Sequence, residues 1–471
     1  MKAFRLLPLT GLLWLSASSL NSVAADFPST PPPPAAPKNF TLPATSDFTL
    51  DNGLSVTLIP YGDTPKVTMV LQFDSGNQDD GDATGISDLT FELLKQGTAT
   101  RDAAALATLA SSMGGQLQTS VGMNSSQVGM DVLTEFSGDA VSLIADVVMH
   151  SVFPEDSLNR AVANRWREVQ VSQSRAQGQA LEAFYAAMYP NHPYGTVFPT
   201  EAQLTGITTD DLKAFAAQHL VAANAHLYVA GNFDEAALTS AIKAAFAAMP
   251  AGKANPGVSG EPATPSAGLV RISRDNAVQT TLRLGQRVVP LSHKDAIALE
   301  VTNTLLGGMF SSRITQNIRE DKGYTYSPRS AVSSYRDASV WYESADIDAP
   351  STGEALNEII KEIRGLQTTP PPKTELDGVK KYASGIFVLR NSSRSGLIGQ
   401  LVNLDVNRLP RRRLTDYISE VNGLTEARIS AMASQYLNLD SMSLIIVGDD
   451  ELLDRELAEV EQLPVLSENG N

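Results

Sequence analysis

The chain has no cysteine among its 471 residues, so it forms no disulfide and offers no thiolate to a metal. Histidine is also scarce, and the five present are His150, His192, His219, His226 and His293. No two of them lie three or four residues apart, so no helix presents a histidine pair to a zinc ion. We therefore predict that this chain binds no metal.

Other absences narrow the function classes. Basic residues number 36 against 52 acidic ones, a net charge of −16 that disfavours nucleic acid and anionic membrane surfaces as partners. The sequence contains no Gly-x-Ser-x-Gly elbow, no phosphate-binding Gly-x-x-x-x-Gly-Lys loop and no Gly-x-Gly-x-x-Gly fingerprint. Beyond residue 25 no run approaches the roughly 18 apolar residues that a membrane span needs, so no membrane anchor is expected.

Residues 1–25 have the pattern of a secretory signal peptide. Lys2 and Arg5 precede an apolar stretch over residues 6–15, and Val23-Ala24-Ala25 forms a small-residue cleavage site. No cysteine follows that could carry a lipid. We expect the mature chain to be exported, most simply to a bacterial periplasm.

The remaining chain is long for one core and divides by composition. Four consecutive prolines make 26–38 an extended tether, and 463–471 is a tail. A stretch rich in Gly, Pro, Ala and Ser, 251–268, is the predicted linker between domains 39–250 and 269–462.

An internal repeat relates the two halves at one ungapped offset of 217 residues. The matching pairs are Gly206-Ile207-Thr208 with Gly423-Leu424-Thr425, Gln218-His219-Leu220 with Gln435-Tyr436-Leu437, and Leu227 to Gly231 with Leu444 to Gly448. Agreement of three segments in a single register predicts a duplicated domain.

Hydrophobic periodicity in each half predicts strands followed by helices. The predicted strands are 54–59, 67–73 and 280–288, and the predicted helices are 86–96, 102–113, 139–150, 155–187, 209–220, 235–248, 295–306, 353–367, 373–390 and 425–437. This order favours an α+β fold with two homologous domains, each a mostly antiparallel sheet packed with helices, over a doubly wound parallel sheet.

Residues 85–98 resemble the zinc-binding helix of the pitrilysin/insulinase family of metallopeptidases, which reads His-x-x-Glu-His. Here Asp88, Phe91 and Glu92 stand at the His, Glu and His positions. Glu168 lies at the usual distance for the family's third zinc ligand. The three carboxylates could in principle hold a hard cation, but we expect them to be solvated or salt-bridged helix residues.

Further motifs strengthen the resemblance because they occur along this chain in the same order as in members of the family. These motifs are Leu50 to Leu54, His192 to Gly195, Leu204 to Thr208, Leu305 to Arg313 and Arg319 to Ser327. The resemblance maps the family's substrate-binding Arg and Tyr to Arg319 and Tyr326. In that family the pair holds the peptide backbone and stabilises the charge that develops on the scissile carbonyl. A guanidinium fork and a phenol suit these roles. Alternatively, Arg319 caps its helix and Tyr326 packs at a strand start.

The resemblance implies a zinc-free, non-catalytic subunit of a heterodimeric peptidase, shaped as half of a clamshell. A homologous partner subunit would carry His-x-x-Glu-His and the zinc, and the substrates would be peptides. Two other functions stay open, namely a stand-alone protein that captures peptides by strand addition and a purely architectural subunit.

Overall fold

The computed structural model describes residues 39–258, 262–461 and 463–467. The predicted signal peptide and tether therefore lie outside the described residues, as do a few residues of the predicted linker and tail. In the described part of the chain no helix is long and apolar enough to cross a membrane.

The first half forms a six-stranded sheet whose order is β1-β2-β6-β3-β5-β4. Its strands are β1 (Ser46–Thr49), β2 (Ser55–Pro60), β3 (Lys66–Phe73), β4 (Gln118–Val121), β5 (Ser126–Leu133) and β6 (Ala225–Gly231). Its helices are α1 (Ile86–Leu93), α2 (Ala103–Ser112), α3 (Ser137–His150), α4 (Glu155–Gln173), α5 (Ala176–Met188), α6 (Glu201–Gly206), α7 (Thr209–His219) and α8 (Glu235–Phe246).

The second half forms a five-stranded sheet whose order is β7-β11-β8-β10-β9. Its strands are β7 (Leu269–Ser273), β8 (Gln279–Val288), β9 (Arg329–Tyr335), β10 (Ala338–Asp348) and β11 (Ser443–Gly448). Its helices are α9 (Ala296–Asn303), α10 (Thr352–Thr368), α11 (Lys373–Arg390), α12 (Arg394–Val406), α13 (Arg412–Gly423), α14 (Glu426–Tyr436), α15 (Asp450–Ala458) and the short α16 (Pro464–Ser467). Two π-helical segments, Thr304–Gly308 and Thr315–Asp321, lie between α9 and β9.

The strand orders of the two sheets correspond one to one once β1 is set aside. In each sheet one pair is parallel, β2 with β6 and β7 with β11, and the other pairs are antiparallel. Helices α7 and α14 begin 217 residues apart, and the hydroxyls of Thr208 and Thr425 cap them in the same way. The predicted α+β fold of two homologous domains is confirmed.

One predicted helix, 155–187, is wrong because it is two helices, α4 and α5, joined by a tight turn. A Cβ atom on Gly178 would lie 1.9 Å from the carbonyl oxygen of Ser172, so only glycine permits this turn. The second half has the same kind of glycine-dependent turn between α11 and α12, where a Cβ atom on Gly396 would lie 1.9 Å from the carbonyl oxygen of Arg390.

The two domains exchange the helices that follow these turns. In β6, Leu227 and Val229 face their own domain's core, whereas Tyr228 and Ala230 pack against α12 of the second half. In β11, alternate residues likewise contact α5 of the first half. Both faces of each central strand are therefore buried, which explains why these strands are apolar throughout.

A buried arginine also joins the two halves through an ion pair and hydrogen bonds. Arg336, which is 4% exposed, forms an ion pair with Asp74 of the first half. Its Nε donates to the carbonyl of Val406 at 2.6 Å, and its backbone N–H donates to Asn124 at 2.9 Å. A buried cation of this kind is stable only when such partners are present.

Candidate functional site

Helix α1, which carries the altered zinc motif, is fixed at its start by Asp80. The Asp80 carboxylate accepts hydrogen bonds from the backbone N–H groups of Gly85 at 2.7 Å and Ser87 at 3.2 Å. Gly85 adopts φ 97°, which favours glycine at this turn. Burial raises the pKa of Asp80 to about 6, and the negative charge of Asp88 acts in the same direction.

Asp88, at the first histidine position, is already partnered within the chain. It accepts a hydrogen bond from Asn77 Nδ2 at 2.8 Å and lies 3.3 Å from Arg165 Nη2. The other terminal nitrogen of Arg165 lies 3.6 Å from the Glu168 carboxylate. A guanidinium therefore lies between two of the residues that occupy zinc-ligand positions.

The other two positions of the motif are equally unsuited to zinc. Phe91 is 1% exposed and packs edge-on against Phe73, with ring centres 5.9 Å apart. Glu92 has an exposed side chain, yet desolvation of its carboxyl, followed by the charges of Glu168 and Asp88, raises the pKa of Glu92. Across the described residues no group of three or more His, Asp or Glu side chains is arranged to hold a metal ion. The donor set does not fit zinc.

A cavity of about 690 Å³ adjoins α1. Asp88 and Arg165 line it together with His192, residues of α5 and Tyr335 from the second half. His192 accepts the N–H of Tyr194 at 3.2 Å and so caps the short turn that follows it. Burial lowers the pKa of the His192 imidazole.

Arg319 and Tyr326 lie together in the second half. Arg319 belongs to the π-helical segment 315–321, and its guanidinium carbon lies 4.8 Å from the Tyr326 ring centre. Its Nε lies 3.3 Å from the carboxylate of Glu320. Tyr326 is 80% exposed, and no hydrogen bond to its hydroxyl is formed by the residues that the structure describes. The arrangement differs from a helix cap and a packed strand start.

Phe310 joins this pair although sequence reasoning did not select it. The Arg319 guanidinium carbon lies 4.4 Å from the Phe310 ring centre, and Phe310 is 64% exposed. We call these three residues the aromatic–arginine patch. Phe310 lies in the Leu305 to Arg313 motif, separated from Gly307-Gly308 by Met309, and the sequence pattern alone does not single it out.

Specific contacts hold the segments that carry the patch. Arg313 forms a bidentate pair with Glu375, with both N–O distances at 2.7 Å. The hydroxyl of Thr325 donates to the carbonyl of Asp346 in β10 at 2.6 Å. Among the described residues no hydrogen bond, ion pair or ring contact joins the aromatic–arginine patch to Asp88 or Glu92, so the chain keeps its two candidate regions apart.

Two family models match the chain and between them cover most of residues 56–382. The model "Insulinase (Peptidase family M16)" matches residues 56–198, and the model "Peptidase M16 inactive domain" matches residues 206–382. The chain belongs to the M16 family. The pitrilysin/insulinase resemblance is thereby confirmed, and the chain is an M16 peptidase-like protein.

Relatives and a solved structure agree with this assignment. An uncharacterized zinc protease of Rickettsia felis is 27% identical over 67% of this chain and 75% of its own length. An uncharacterized zinc protease of Bacillus subtilis is 24% identical over 83% of this chain and 96% of its own length. The crystal structure titled peptidase M16 inactive domain from Pseudomonas fluorescens has a TM-score of 0.80 at 24% identity, covering 86% of this chain and 98% of that chain.

Proposed function

We propose that this M16 chain is the zinc-free subunit of an exported heterodimeric peptidase, and that it supplies Arg319 and Tyr326 to peptides bound with a partner subunit. The observation that carries the proposal is the contrast between the two candidate regions. The zinc-position carboxylates Asp88 and Glu168 are paired with Arg165, whereas the Tyr326 phenol is exposed toward solvent.

The chemistry assigned to this chain is binding and charge stabilisation. A zinc ion in the partner would activate the attacking water. Arg319, whose guanidinium carbon lies 4.4 Å and 4.8 Å from two ring centres, would donate from its guanidinium nitrogens to a peptide carbonyl. Tyr326 offers a single directional donor to the oxyanion that forms at that carbonyl.

A second candidate is a stand-alone peptide-binding protein. Strands β4 and β9 lie at the edges of their sheets, and such edges accept an extended peptide as an added strand. This alternative requires no partner, and it makes peptide binding by the isolated chain independent of Tyr326.

The decisive experiment uses the complex purified with a homologue that carries an intact His-x-x-Glu-His motif. Tyr326→Phe should lower turnover of a fluorogenic peptide on the order of 10²–10³-fold, because one oxyanion donor is lost. Sedimentation should show an intact dimer. Tyr61→Phe, which removes a phenol from the first half, is the matched control and should leave turnover unchanged.

Arg319→Ala in the same complex should also raise KM, because it removes several donors to the peptide at once. Wild-type turnover from the Tyr326→Phe complex would contradict the proposal and favour an architectural subunit. Peptide hydrolysis by the isolated chain, with one tightly held zinc in metal analysis, would contradict it as well.

A further inference from the structure

The second domain contains a cavity of about 530 Å³ that is separate from the aromatic–arginine patch. It lies among α9, β9 and the helices α11, α12 and α13. Three arginines from three different elements line it, namely Arg329 of β9, Arg390 of α11 and Arg413 of α13. The fold therefore gathers three cations at one place in a chain whose net charge is −16.

These arginines lack the partners that other arginines of the protein have. Arg313 and Arg411 each make bidentate pairs with carboxylates. Within the described ranges, no carboxylate lies within ion-pair distance of the guanidinium groups of Arg329, Arg390 or Arg413. Arg329 and Arg390 are exposed and Arg413 is half-buried, so water screens their mutual repulsion, and their guanidinium donors are available to an anion that enters the cavity.

The one acidic side chain in the cavity compensates them poorly. Glu300 accepts a hydrogen bond from the Tyr417 hydroxyl at 3.4 Å. Burial raises the pKa of the Glu300 carboxyl, and the positive charges of Arg390 and Arg413 oppose that rise without cancelling it. Burial also lowers the pKa of Arg413, against the opposing influence of Glu420 and Glu300. The site is thus short of negative charge and contains a cation that is partly removed from water.

We propose that this cavity binds the carboxylate of a peptide through Arg390 and Arg413. A carboxylate matches the planar fork of a guanidinium, and two such groups bind both of its oxygens. The volume exceeds that of a small inorganic anion and falls in the range of sites for larger ligands. Apolar side chains of Phe387, Leu404 and Leu414 form part of the wall and accommodate the residues beside the carboxylate.

The test uses the mature chain alone, without a zinc-bearing partner, and fluorescence anisotropy of labelled Ala/Leu hexapeptides. A hexapeptide with a free carboxyl terminus should bind at least about tenfold more tightly than its carboxamide, because a charge-assisted pair is lost. A third peptide, a carboxamide with an internal Asp, distinguishes a side-chain carboxylate from a terminal one. Binding by either carboxylate supports the proposal.

Arg413→Gln should weaken binding of the preferred peptide about tenfold or more. Arg412→Gln removes the same charge one residue away on the exposed face of α13 and is the matched control. Arg390→Gln, at an exposed position, gives the same test if Arg413→Gln proves unfolded by circular dichroism. Unchanged affinity in both cavity variants would overturn the proposal.

Inorganic phosphate serves as the competitor that distinguishes a peptide site from a simple anion site. Displacement of the peptide only at millimolar phosphate or above supports the proposal, whereas phosphate that binds as tightly as the peptide would overturn it. Loss of activity in the Tyr326→Phe complex has no bearing on this result, because the peptide assay contains no partner subunit and leaves Tyr326 unchanged.

Discussion

The region around α1 and the aromatic–arginine patch differ in how their polar groups are satisfied. At α1, Asp88 and Glu168 are paired with Arg165, and the position of the catalytic glutamate is a buried phenylalanine. In the patch, Arg319 contacts two exposed rings, and Tyr326 extends into solvent. The first region has become part of the structure, whereas the second retains unused hydrogen-bonding capacity.

The difference at α1 includes packing as well as the identity of the side chains at the zinc-motif positions. Phe91 now contributes to the core shared by the first sheet and its helices. Burying this ring stabilises the domain by roughly 2–3 kcal/mol. A residue with this role cannot return to glutamate without a loss of stability.

Restoring the family's glutamate should have the largest effect. Phe91→Glu removes a buried ring and places a carboxylate against Phe73, so we expect unfolding to become easier by at least about 4 kcal/mol. Urea denaturation followed by circular dichroism measures this change. Phe91→Leu, which keeps the site apolar, should cost about 1–2 kcal/mol. Equal stability of the wild type and Phe91→Glu would show that α1 is still adapted to a polar site.

A buried acid in the second domain should make the stability of the protein depend on pH. Glu343 of β10 is 0% exposed, and a Cβ on Gly307 would lie 2.9 Å from its carboxylate oxygen. Burial raises the pKa of Glu343 well above 4.5. Between the pKa of Glu343 in the unfolded chain and its pKa in the folded protein, the folded state keeps the proton and the unfolded state has released it. The contribution to stability is therefore complete below the unfolded pKa and is lost as pH rises through the folded pKa.

In the wild type, the free energy of unfolding should fall by up to about 1.4 kcal/mol per pH unit above the pKa of Glu343 in the unfolded chain. Glu343→Gln should therefore remove this fall. Thermal and urea unfolding of both proteins between pH 4 and pH 8 measures the difference. Parallel stability curves for the two proteins would contradict the assignment of a protonated Glu343.

Removing the third member of the patch should have a smaller effect. Phe310→Ala takes one ring from Arg319, and an exposed cation–π contact is worth about 0.5–1 kcal/mol. We expect kcat/KM of the heterodimeric complex to fall about threefold, with Phe310→Tyr close to the wild type. A normal Phe310→Ala complex would mean that Tyr326 alone orients the guanidinium.

The smallest effect is expected at α1. Asp88→Ala breaks a partly exposed pair with Arg165 and should cost less than about 1 kcal/mol, with no change in turnover of the complex. The pKa of Asp80 should fall, because a neighbouring negative charge is removed. Carboxyl NMR titration measures that shift. A loss of turnover in Asp88→Ala would show that the α1 region still contributes to catalysis.

Long periodic segments were predictable because their signals are local. The predicted helix 373–390 has the bounds of α11, and the predicted strand 67–73 lies within β3. The predicted helix 155–187 failed, since nothing at Ser174-Arg175 resembles a helix breaker and only the approach of Ser172 to Gly178 reveals the turn. Helix α12 was missed because its apolar residues are spread around the helix, which weakens the periodic signal, whereas α13 was missed although its apolar residues lie on one face.

The sequence by itself determined the family, the duplication and the loss of the histidine pair, because each depends on residue identity at fixed spacings. Only the tertiary structure decided that α5 and α12 are exchanged, that Arg165 lies between Asp88 and Glu168, and that Phe310 joins Arg319 and Tyr326. It also gathered Arg329, Arg390 and Arg413 around one cavity. These contacts join residues distant along the chain, and packing rather than local propensity fixes which of them meet.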